Sequence, residues 1–138
     1  MPTLPPMALV IRELHRAPKP ELLNEEWLLV ENTGTEPLQA KGWSVAVTVK
    51  NGKARPTALG TLDPGFVLRP GEKIRLVTGT ASKKAQGTPP TQDEGVRNYH
   101  LFLREAILGR PGTTVLLQLR QLELARATFD PATPQGLA

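Results

Sequence analysis

From Trp43 to Lys50 the chain alternates: Trp43, Val45, Val47 and Val49 are separated by Ser44, Ala46, Thr48 and Lys50. A period of two places the four large apolar side chains on one face of a strand. Asn51-Gly52 follows at once, and both residues tolerate the positive φ of a tight turn, so the pattern predicts a half-buried strand running into a hairpin. Similar alternation recurs over Lys73 to Thr78 and Thr114 to Leu119, introduced by Pro70-Gly71 and Pro111-Gly112. A third pair, Pro64-Gly65, precedes the short apolar run Phe66 to Leu68. In a type II turn Pro presets φ at the second position and Gly supplies positive φ at the third. Further strands are expected over Ala8 to Leu14, Glu26 to Glu31, His100 to Leu103 and Leu122 to Phe129. Leu116 to Ala127 is rich in leucine and good helix formers, so it is also readable as an amphipathic helix. The alternation of Val115, Leu117 and Leu119 behind Arg-Pro-Gly-Thr-Thr favours strands. Some seven to nine short antiparallel strands at this spacing predict an all-β domain, a sandwich or barrel.

Length and composition fit that picture. The 138 residues make one domain, large enough to bury a core, and the absence of cysteine excludes a disulfide scaffold. Proline (14) and glycine (12) are frequent, as many short elements require. The termini, 1–6 and 131–138, carry Pro and little apolar surface and are expected to be flexible tails around an ordered body at 7–130. Thr78 to Asn98 has hardly an apolar side chain. A connection of that length inside a small domain is usually either functional or disordered. No secretory signal and no membrane-spanning apolar stretch is visible, which leads to the expectation of a soluble, cytoplasmic protein.

Charge changes the picture locally. The net charge is +4, but residues 1–40 sum to −3 and the remainder to +7. Lys50, Lys53 and Arg55 cluster at the Asn51-Gly52 turn and Lys83-Lys84 stand in the long loop, so these five are the candidate macromolecule-binding residues. Basic tips of this kind suit a phosphate backbone. With only six aromatic residues, the base stacking that usually accompanies single-strand binding is poorly supplied.

Catalytic chemistry has little to stand on. Gly42-Trp43-Ser44-Val45-Ala46 superficially resembles a nucleophile elbow, yet Ser44 lies within an alternating strand rather than at a strained strand-to-helix turn. His15 and His100 lack neighbouring carboxylates at ligand spacing and read as ordinary surface or half-buried imidazoles. Asn24-Glu25-Glu26 and Asp93-Glu94 lack the alternating acids and turn glycine of a calcium loop, and read as solvated charge. No phosphate loop or dinucleotide fingerprint is present. The expectation is a non-enzyme with no catalytic residues, no cofactor and no metal. Convergence of Glu25, Glu26 and Asp93 on one cleft would revive a hydrolytic reading.

One ordered series of motifs carries a resemblance. Glu26-Trp27-Leu28-Leu29-Val30-Glu31-Asn32-Thr33-Gly34, then Pro37-Leu38 and Gly42-Trp43-Ser44-Val45, resembles the opening of a lamin tail domain. Phe66-Val67-Leu68-Arg69-Pro70-Gly71-Glu72-Lys73-Ile74 and Gly112-Thr113-Thr114-Val115-Leu116-Leu117 resemble its later motifs. The match spans about Ala8 to Phe129. It implies an immunoglobulin-like β-sandwich and a small standalone, bacterial-type member of that family. Leu28 and Val30 are then expected in the core, Trp43 as a core plug, and Trp27 and Leu29 on an outer face as a patch that a partner, a tail or a long side chain would cover. Leu119-Arg120-Gln121-Leu122 replaces the family's usual final turn, which bears on the last hairpin's geometry. The implied role is a binding or scaffolding module that docks another macromolecule, a protein first and a nucleic acid as the alternative. No membrane partner is expected.

Overall fold

The computed structural model describes residues 8–48, 56–92 and 95–138. Ten strands follow in order: β1 (Leu9–His15), β2 (Trp27–Asn32), β3 (Leu38–Gln39), β4 (Trp43–Thr48), β5 (Thr57–Thr61), β6 (Val67–Leu68), β7 (Lys73–Val77), β8 (Val96–His100), β9 (Thr114–Leu119) and β10 (Leu122–Thr128). Single 3-10 turns occupy Leu23–Glu25 and Lys84–Gln86. The strands form two four-stranded sheets, ordered β1-β2-β7-β8 and β10-β9-β4-β5, and a small β3-β6 pair. The protein is an all-β sandwich. Residues 116–127 are strand rather than helix, and among the described residues no helix is long and apolar enough to cross a membrane.

The core lies where alternation placed it. Leu28 and Val30 of β2 and Ile74 and Leu76 of β7 meet Trp43 and Val45 of β4 and Val115 and Leu117 of β9 in one buried cluster. Trp43 is 4% exposed and meets Phe66 edge-on at 6.1 Å, and Phe66 in turn meets Tyr99 at 5.1 Å. Within the expected outer patch, Trp27 is covered by side chains of the two neighbouring strands. Trp27 is stacked by the His15 ring at 4.6 Å, and the Arg75 guanidinium lies 5.3 Å from its ring centroid.

Polar signals also acquire structural roles. Asn32 is fully buried: its amide donates to the Glu36 and Leu68 carbonyls while its oxygen accepts from Gly34 N–H, an Asx turn that accounts for the Asn-x-Gly spacing. Glycines 65, 71 and 112 all have positive φ. The Pro70-Gly71 and Pro111-Gly112 turns are closed by Glu72 N–H to Arg69 O (3.0 Å) and Thr113 N–H to Arg110 O (3.3 Å). Pro64-Gly65 carries a cis Asp63–Pro64 peptide and has no closing bond of this kind among the described residues.

Two further expectations are corrected, and the C-terminal residues make contacts that the pattern did not suggest. All ladders are antiparallel except β7–β8, which is parallel. Parallel neighbours need a crossover of a dozen or more residues, and the polar stretch after Thr78 is that crossover. The strand expected over His100 to Leu103 lies instead at Val96–His100, because polar side chains complete its pairing: Asn98 N–H donates to Gln92 Oε1 and the Asn98 amide to Pro90 O. Residues 131–138 are hydrogen-bonded to the body of the sandwich. Asp130 N–H bonds Gly136 O, Phe129 bridges Leu137, Ala138 N–H bonds Thr128 O and Leu14 N–H bonds Gln135 O, so the segment straps β10 to β1. Residues 1–6 and the Asn51-Gly52 turn lie outside the described residues.

Candidate docking face

β1, β5 and β10 are edge strands, and each carries one extra residue against its neighbour: Arg12, Leu59 and Leu124. Bulges are common at sheet edges, where they re-aim a side chain. The extra residues have different fates. Arg12 makes a surface ion pair with Glu31 at 2.8 Å, Leu124 is buried in the core, and Leu59 remains 36% exposed. Among the described residues, β5 has no strand on its outer side.

Opposite Leu59 runs the segment after β8. Leu101 N–H bonds Val77 O at 2.8 Å and Leu103 N–H bonds Thr78 O at 2.9 Å, so the backbone on both sides of Phe102 is held to the end of β7. Phe102 itself sits at φ 56° and is 65% exposed. A left-handed conformation costs an L-residue roughly 1–2 kcal/mol, and such residues persist where their surroundings over-determine them. The exposed ring recovers little of that through burial. Leu59, Phe102, Leu103, Ala106 and Ile107 line one groove of about 540 Å³, with Arg104 and Glu105 on its wall. Two backbone irregularities on opposite sheets therefore present apolar side chains to the same space.

Glu26 fixes the far half of this segment. It is 2% exposed, and its carboxylate accepts from Thr78 Oγ1 (2.6 Å), Ile107 N–H (2.7 Å) and Leu108 N–H (3.0 Å). The solvated-charge reading of this residue is overturned. A buried carboxylate is tolerable here because three donors, two of them otherwise orphaned backbone amides, converge on it. Asn24 is likewise buried, not solvated. Its amide nitrogen donates to the carbonyls of Thr80, Lys83 and Gly87 at 3.0–3.3 Å, knotting the crossover loop to the turn before β2. Its oxygen has no hydrogen-bond partner among the described residues and faces Gly79, where any Cβ would collide with it. Sequence reasoning missed both roles; position directly before an alternating strand was the only available signal.

Among the basic candidates, Lys83 and Lys84 are exposed beside the 3-10 turn Lys84–Gln86, on the loop that Asn24 organises. Lys50, Lys53 and Arg55 lie outside the described residues, so the two clusters are not brought together on described atoms. Glu25 and Glu26 serve different segments: Glu25 Oε2 accepts from Thr88 N–H at 3.4 Å, whereas Glu26 turns inward. Asp93 lies outside the described residues, and no group of three or more His, Asp or Glu able to hold a metal ion occurs among those described. Ser44 sits in β4 with its hydroxyl 3.5 Å from that of Thr61. His15 and His100 are half-buried, their Nδ1 atoms 3.0 Å from the Glu25 and Gly79 carbonyls. No family model matches the chain, and no curated protein matches it significantly.

Proposed function

We propose that this chain is a non-enzymatic docking module of the lamin-tail type whose partner is a protein, received in the groove between β5 and Phe102. The observation that carries the reading is Phe102, an exposed aromatic ring held at positive φ on a groove of mixed apolar and charged lining, beside a bulged edge leucine. Aromatic anchors with an adjacent apolar groove are the usual centres of protein interfaces. The lamin-tail assignment is supported by the ordered motifs from Glu26-Trp27 to Gly112. Their residues have definite work in the sandwich: Glu26 ties the 107–108 backbone, Asn32 closes a turn and Trp43 fills the core.

The test is affinity capture from native cell extract with wild-type and Phe102→Gly baits, with and without nuclease. Docking predicts proteins retained after nuclease treatment and lost with Phe102→Gly. Loss of every captured protein on nuclease treatment would reject docking. It would transfer the function to nucleic-acid contact through Lys50, Lys53, Arg55, Lys83 and Lys84, a reading that predicts strong salt dependence and failure of lysine-to-glutamate reversals to bind.

A further inference from the structure

We infer that the groove also receives a second copy of this chain, each copy inserting Phe102 beside Leu59 of the other. The inference rests on the docking reading's premise that this groove is built to be filled, and it names an occupant that the chain itself supplies.

Shape comes first. The groove is lined in part by the apolar side chains of Leu59, Leu103 and Ile107, and Phe102 is the most exposed large apolar side chain among the described residues, ahead of Leu122, Leu119 and Leu59. Insertion of the ring on one molecule places the same ring of the other in the reciprocal groove, because a two-fold axis repeats every contact.

Charge selects a copy over a partner of one sign. Arg104 and Glu105 are adjacent on the groove wall, both exposed, and neither has an ion-pair partner among the described residues. An acidic partner would meet repulsion at Glu105 and a basic one at Arg104. A second copy running antiparallel about an axis between these positions satisfies both, with Arg104 facing Glu105 of the other copy twice over. Each buried Phe contributes roughly 150–250 Å². Phe102 and Leu59 are already partly covered, at 65% and 36% exposed, so two copies of each with the charged rims stay below the roughly 1,000 Å² of a specific interface, and the dimer should be weak and reversible.

The test is sedimentation velocity over a concentration series, using the intact chain. Wild type should show a monomer–dimer equilibrium. Phe102→Gly, Arg104→Glu and Glu105→Arg should each weaken the dimer by about tenfold or more, the reversals by setting like charges face to face. The double variant Arg104→Glu with Glu105→Arg should return the dissociation constant to within about threefold of wild type, because the swap restores the complementarity. All three substituted positions are exposed, and circular dichroism would establish that each of the four variants is folded. A wild type that stays monomeric into the millimolar range overturns the inference, as do a dimer indifferent to these changes and a double variant as weak as the singles. Capture separates the two claims: a monomer that still loses its partners with Phe102→Gly rejects self-pairing alone. A charge-swappable dimer with no Phe102-dependent capture rejects partner docking alone.

Discussion

On one long side of the sandwich β1 and β10 are tied together by Gln135, Gly136 and Ala138; on the other, β5 and the segment after β8 face each other across a groove with Phe102 exposed. Edge strands with unpaired backbone groups are natural templates for association, so folded chains cover, charge or bend them. The sealed side uses several of these devices: the strap, the Arg12–Glu31 pair and the Glu123–Arg126 pair. β8 is covered through Gln92 and Pro90. β5, with the sequence Thr-Ala-Leu-Gly-Thr, has a bulge but no charge and no cover among the described residues. The contrast teaches that the open side is where association remains feasible, and that its geometry is held in place from beneath by Glu26.

Removing that support should have the largest effect. Glu26→Ala strips the acceptor from Thr78, Ile107 and Leu108 at a buried site and should cost about 3–5 kcal/mol in denaturant unfolding, with Glu26→Gln less damaging. Breaking the sealed side comes next. Gly136 has φ 72°, and a Cβ there would collide with the Leu14 carbonyl oxygen, so Gly136→Ala should destabilise by about 2–4 kcal/mol and loosen the strap. The open side should respond in the opposite sense. Phe102→Gly relieves the left-handed strain and should stabilise the fold by about 1 kcal/mol while abolishing association, a separation of stability from function that a merely structural Phe102 would not show.

Surface charge on the sealed side should matter least. Hydrogen bonds from the Arg126 guanidinium to Glu123, opposed by burial and joined by a smaller Coulomb attraction, hold the Glu123 carboxyl below the ordinary carboxylate range. A carboxyl whose folded pKa is depressed adds stability above its unfolded pKa and loses it as pH falls through the folded one. Arg126→Gln should therefore move the Glu123 titration upward, as followed by NMR, with little change in stability because the pair is exposed.

Local pattern made most of the sandwich legible. The alternation through Trp43, Val45 and Val47 and the Pro-Gly pairs before β7 and β9 report backbone conformation directly, and these strands lie where expected. The motif series placed Leu28 and Val30 inward and Trp27 outward, as found. What stayed hidden depends on partners distant in sequence. Glu26 is buried because the 107–108 backbone, eighty residues away, brings it donors, and no neighbouring residue announces that. The strap at 131–138 reads as a tail because most of its anchoring is backbone hydrogen bonding, to which side-chain pattern is blind. The groove was illegible for a related reason: Leu59 and Phe102 are unremarkable apolar residues until a bulge and a positive φ bring both to one space.

The difference between the two sides is tested most directly by amide hydrogen exchange on the intact chain at low concentration. The account predicts slow exchange at Leu14 and Ala138, whose N–H groups are engaged in the strap, and fast exchange along the outward-facing amides of Thr57–Thr61, with protection appearing there and over 101–107 as concentration rises. Uniformly slow exchange in Thr57–Thr61 at low concentration, or free exchange at Leu14 and through 131–138, would contradict it.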